Sequence, residues 1–80
     1  MVQRCSVQFM LQLLHEKTGV PLNTPNSDTA SWEELGVESL GLTAICTSLE
    51  HSLFIDIPHE EALTTQNVQE LVSFVNSIAA

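Results

Sequence analysis

The spacing of its apolar residues leaves this chain one way to build a core. Leu42, Ile45, Cys46, Leu49 and Leu53 stand at offsets 0, 3, 4, 7 and 11, a repeat that lines one face of an α-helix and would scatter over both faces of a strand. Val7, Met10, Leu11 and Leu14 repeat the signature, widened by Phe9 and Leu13, and Val68, Leu71, Val72, Val75, Ile78 and Ala79 form a third stripe. Each stripe must be covered by another element, and 80 residues supply only one core. The chain is therefore expected to be a single all-α domain over residues 1–80. The expected architecture is a small four-helix bundle with three long helices, one short helix and a long loop between helices one and two.

Local signals set the expected boundaries. The first helix should cover about 2–17, because Gly19 can adopt the left-handed conformation that closes a helix and Pro21 cannot continue one. The second should cover 39–53, and the last should begin at Val68, after Asn67 and with Glu70 three positions beyond that cap. Phe54-Ile55-Asp56-Ile57-Pro58 contains β-formers, yet no second segment could pair with it, so it reads as an extended connector. Pro58 suits the first turn of a short helix reaching Leu63, whose positive end Glu60 and Glu61 would complement.

Residues 18–38 have no sustained periodicity and contain Pro21, Asn23, Pro25, Asn26, Ser27 and Asp28. A connection this long is uncommon in a compact domain and calls for a reason. Inside it, Ser31-Trp32-Glu33-Glu34 matches a capping box, in which serine and glutamate satisfy each other's backbone amides. Trp32 and Leu35 are then placed to anchor the end of the loop.

Charge narrows the partners. Ten acidic residues stand against Arg4 and Lys17, a formal charge of -8, which repels nucleic acid and anionic lipid and favours basic protein partners. No apolar run approaches the roughly 18 residues of a membrane span. The N-terminus lacks the charged start, apolar block and cleavage site of a signal peptide, so the expected location is cytoplasmic. Met1 and the compact ends point to a free-standing protein, expected to be a monomer without membrane or nucleic-acid partners. Cys5 and Cys46 are too far apart for a zinc spacing and too few for a disulfide scaffold. Both should be reduced, with Cys46 in the core, and no metal site is expected.

Ser39 carries the chemistry. It ends the long loop and opens the second stripe, where Ser39, or Glu38 before it, could act as an ordinary helix cap. A phosphodiester at the same position would meet free amides and the positive end of the helix dipole. A hydrolase built from Ser39 with His15, His51 or His59 lacks a G-x-S-x-G elbow and a strand to support it. His51 and His59 read as exposed polar residues. Glu33-Glu34 and Glu60-Glu61 each read as dipole compensation in a first turn.

Trp32-x-x-Leu35-Gly36-Val37-Glu38-Ser39-Leu40 resembles the phosphopantetheine attachment segment of acyl carrier proteins. Downstream, Leu49-Glu50-x-x-Leu53-x-x-x-Ile57-Pro58 looks like the end of that family's second helix and its connector, with Leu53 where phenylalanine is usual. Asn67-Val68 stands where relatives commonly carry a threonine cap and valine. The resemblance covers nearly the whole chain and is weakest over the first 30 residues.

It implies a non-catalytic carrier, a substrate of phosphopantetheinyl transferase, with 4'-phosphopantetheine from coenzyme A on Ser39 holding acyl groups as thioesters. By resemblance Glu38, Leu40, Thr43, Thr47 and Glu50 would face partner enzymes, namely an acyltransferase or acyl-activating ligase and a ketosynthase. Two departures stand out. Glu38 replaces the usual aspartate, and Gly41, Ala44, Thr47 and Ser48 lie where fatty-acid carriers concentrate acids. The near-neutral helix points to polyketide or related specialised biosynthesis. An aminoacyl or peptidyl carrier, and a helical interaction module without the modification, remain the alternatives. Gly41 also costs about 1 kcal/mol against alanine in a helix, which suggests a close backbone approach or local mobility.

Overall fold

A computed structural model describes residues 5–79. The helices are α1 (Val7–Thr18), α2 (Trp32–Leu35), α3 (Ser39–Leu53), α4 (His59–Ala62) and α5 (Val68–Ala79). The long helices α1, α3 and α5 are those expected from the stripes. α4 is the expected short helix, one residue tighter at each end because Pro58 is its N-cap and Leu63 its C-cap. α2 is one turn, begun by the capping box: Ser31 Oγ accepts from the Glu34 amide at 3.1 Å, and Glu34 Oε1 accepts from the Ser31 amide at 3.2 Å. Among the described residues the β-type pairing is one isolated antiparallel bridge between Ser31 and Asn67.

The first helix begins at Val7, later than the expected start. Ser6 is the N-cap, accepting from the Phe9 amide at 3.0 Å. Cys5 is instead held by Asn76, whose Oδ1 accepts from the Cys5 amide and whose Nδ2 donates to the Cys5 carbonyl. Residues 2–4 of the expected helix lie outside the described residues. At its other end Gly19, at φ 80°, donates to the His15 carbonyl and closes α1 as expected.

The core joins Met10, Leu13 and Leu14 of α1 to Leu42, Ile45, Cys46 and Leu49 of α3 and to Val68, Leu71, Val72 and Val75 of α5. Trp32, Val37, Ile57 and Ala62 close its end. α1 packs on α3 and α5, while α4 packs on α3. The radius of gyration is 11.4 Å, close to the roughly 11.6 Å of a compact chain this long. No described helix is long and apolar enough to cross a membrane, and no described cluster of three or more His, Cys, Asp or Glu is placed to hold a metal ion.

The long loop is tied down at a distance. The Trp32 amide donates to the Gln66 carbonyl at 3.0 Å, Trp32 Nε1 to Thr65 Oγ1 at 3.2 Å, and the Gln69 amide to the Asp28 carbonyl at 3.2 Å. Gln69 Nε2 adds a bond to the Asp28 carboxylate at 2.8 Å. The loop therefore borrows backbone partners from the α4–α5 connection and the first turn of α5, which satisfies polar groups that a loose loop would leave to water. At the end of α3, Phe54 takes the left-handed conformation, at φ 56°, and is 90% exposed. For a non-glycine residue that backbone costs about 1–2 kcal/mol.

Candidate functional site

The site forms where α2 turns into α3. Gly36, at φ 74°, ends α2 with its N–H directed to the Glu33 and Trp32 carbonyls. The Val37 amide then donates to the Trp32 carbonyl at 2.8 Å, and the Val37 side chain enters the core. With Trp32 and Val37 both seated, the backbone must leave outward at Glu38. Glu38 is the N-cap of α3 in extended conformation, and its carbonyl accepts from the Leu42 amide at 3.1 Å.

Ser39 is the first helical residue, exposed, and among the described residues its hydroxyl makes no hydrogen bond. Glu38 makes no side-chain cap either. Capping thus does not account for the serine, and α3 has no acid inside its first turn, so the positive end of the helix stands open to an anion. An open groove of about 540 Å³ lies beside Ser39, lined by Trp32, Glu33, Val37, Glu38, Leu42 and Leu63, among others.

Leu40, Thr43 and Thr47 are exposed along α3, with Leu40 82% exposed. Glu50 differs from the other residues expected at the partner face, because its carboxylate is engaged within the molecule. Oε2 accepts from the Ile57 amide at 3.0 Å and Oε1 lies 2.8 Å from His59 Nε2. These contacts, the Ile57 amide first and His59 second, hold the Glu50 carboxyl below the usual glutamate value. His59 is accordingly half-buried and paired rather than simply exposed, whereas His51 is exposed as expected. His15 Nδ1 lies 2.9 Å from the Val20 carbonyl oxygen. None of the three imidazoles bonds to Ser39 among the described residues, so the serine–histidine pair of a hydrolase is not assembled.

Sequence reasoning missed Leu63 as a wall of the groove and Phe54 as an exposed aromatic. Leu63 lay at the edge of a short helix without enough turns to show a face. Phe54 followed an apolar stripe and looked like part of a connector.

A family model described as the phosphopantetheine attachment site matches residues 8–75. The acyl carrier protein of Solidesulfovibrio magneticus is 30% identical over 64 residues, covering 80% of this chain and 82% of that protein. The acyl carrier protein of Rickettsia bellii is 26% identical over 68 residues, covering 85% of this chain and 79% of the relative. Among solved structures, the actinorhodin holo acyl carrier protein from S. coelicolor matches with a TM-score of 0.83 at 22% identity, over 99% of this chain and 95% of that one. The 3,5-dioxohexyl form of the carrier from the actinorhodin polyketide synthase matches with a TM-score of 0.84, also at 22% identity, with the same coverage. At that identity the structural likeness establishes the fold, while the family match over most of the chain establishes the kinship and the cofactor, 4'-phosphopantetheine. The chain belongs to the acyl carrier protein family, the carriers built around a phosphopantetheine attachment site.

Proposed function

We propose that this protein carries acyl intermediates in polyketide or related specialised biosynthesis, with Ser39 as its one covalent site. The observation that carries the proposal is the Ser39 hydroxyl: exposed, without a hydrogen-bond partner among the described residues, at the start of α3 and beside a groove. The residues suit the cofactor. Ser39 would hold the arm as a phosphodiester, and the first-turn amides of α3 would favour its negative charge. When attached, the arm supplies a terminal thiol that holds acyl groups as thioesters.

The chain's own residues present and orient. Trp32 and Val37 fix the corner, Gly36 turns it, and Leu40, Thr43 and Thr47 offer a nearly neutral face to the phosphopantetheinyl transferase, an acyltransferase or acyl-activating ligase, and a ketosynthase. Such a face favours recognition by shape and apolar contact, with the acidic remainder of the surface steering basic partners. The polyketide assignment draws support from this neutral face and from fold neighbours that belong to a polyketide synthase.

The test is intact mass after incubation with coenzyme A and a broad-specificity phosphopantetheinyl transferase. Wild type should gain one phosphopantetheine and Ser39→Ala none. No gain on wild type, or an undiminished gain on the variant, overturns the assignment.

A further inference from the structure

Glu50 follows Ser39 by three helical turns, roughly 16 Å along α3, on the same edge of the helix. Its carboxylate grips the start of the α4 segment through the Ile57 amide at 3.0 Å and His59 Nε2 at 2.8 Å. Trp32 grips the far end, through Thr65 Oγ1 and the Gln66 carbonyl. Between these anchors lie α4 and Leu63, with Ala62 buried and Leu63 forming a wall of the groove beside Ser39. A helix of one turn cannot hold its own shape in water. The position of Leu63 therefore follows from the seat of Ala62 in the core together with where the two anchors hold the segment.

We propose that Glu50, acting through Ile57 and His59, is a positioning residue that sets the width of the groove beside Ser39 and thereby selects the size of acyl group sheltered there. The proposal rests on reading Ser39 as the attachment point. Trp32 serves the core and the groove together, so Glu50 is the anchor free to vary. The chemistry of its grip is local: one carboxylate accepts two donors, and loss of the imidazole removes one while leaving the other.

The test compares wild type with His59→Ala and Glu50→Ala in two measurements. On the unloaded proteins, amide hydrogen exchange at residues 62–64 should accelerate by about tenfold in both variants, with core amides of α1, α3 and α5 unchanged. Then acetyl, butyryl, hexanoyl and octanoyl arms are installed from their coenzyme A thioesters by a broad-specificity transferase, and thioester cleavage by hydroxylamine is timed. Protection should shift towards longer chains in the variants, with the acetyl rate unchanged. Unaltered exchange at 62–64, or the same chain-length profile in properly loaded variants, overturns the proposal. Absent loading of wild type, or loading that persists on Ser39→Ala, instead sinks the attachment reading and this proposal with it.

Discussion

At Gly41 a single missing methyl group decides how closely two helices approach. A Cβ there would lie 2.9 Å from Thr18 Cγ2, and the Thr18 rotamer is held by its hydroxyl donating to the Leu14 carbonyl at 2.6 Å. Alanine would gain about 1 kcal/mol of helix propensity but meet an overpacking cost of about 1–3 kcal/mol. Gly41→Ala is therefore expected to lower stability by about 1 kcal/mol in urea denaturation. Thr18→Ser keeps the hydroxyl and removes the methyl, so in that background the same alanine should stabilise. Equal stabilisation in both backgrounds would show that the methyl is not the obstacle. The close approach was one of two readings open to a helical glycine from sequence; Thr18 as the neighbour was not legible, because nothing local ties position 18 to position 41. The Glu50–His59 pair was hidden for a similar reason, since the chain reverses at Phe54 between them and no period relates them.

Elements were easier to read than their junctions. The three long helices followed from apolar spacing, and Gly19 and the capping box marked turns where the structure has them. The start of α1 did not follow, because the stripe begins at Val7 yet the helix was carried back beyond it, past the serine that caps it and Cys5, which Asn76 holds. The tie between the long loop and the α4–α5 connection was also invisible: Trp32 and Thr65 are 33 residues apart and carry no shared local signature. α2 tests whether the loop's order matters for the site. Ser31→Ala removes the acceptor of the Glu34 amide and should cost about 1 kcal/mol, read as a lower urea midpoint. It should also slow the initial rate of phosphopantetheine transfer to Ser39, because α2 sets the exit direction of residues 36–39. A full loss of stability with an unchanged transfer rate would separate α2 from the site.

The fold keeps both cysteine thiols out of reach. Cys5 is 3% exposed and Cys46 1% exposed, and burial raises both thiols to about 11, helped at Cys46 by the nearby Glu50 charge. A thiol reacts as its thiolate. At pH 8 the native, unmodified protein should therefore give no rapid reaction with a chromogenic disulfide reagent, whereas the denatured chain should titrate both cysteines. After phosphopantetheine transfer the native protein should titrate one thiol, that of the arm. Rapid native reaction before transfer would show that the fold does not protect the cysteines.

The bond between the long loop and the α5 start also has a consequence for the order of synthesis. Ser31 and Trp32 reach their partners at Thr65, Gln66 and Asn67 only after those residues have been made. On the ribosome, the corner that presents Ser39 thus stays unfinished until the last helix begins to emerge. A chain broken off before Asn67 would display the serine without its supporting geometry, and a transferase that recognises the folded corner would pass it by.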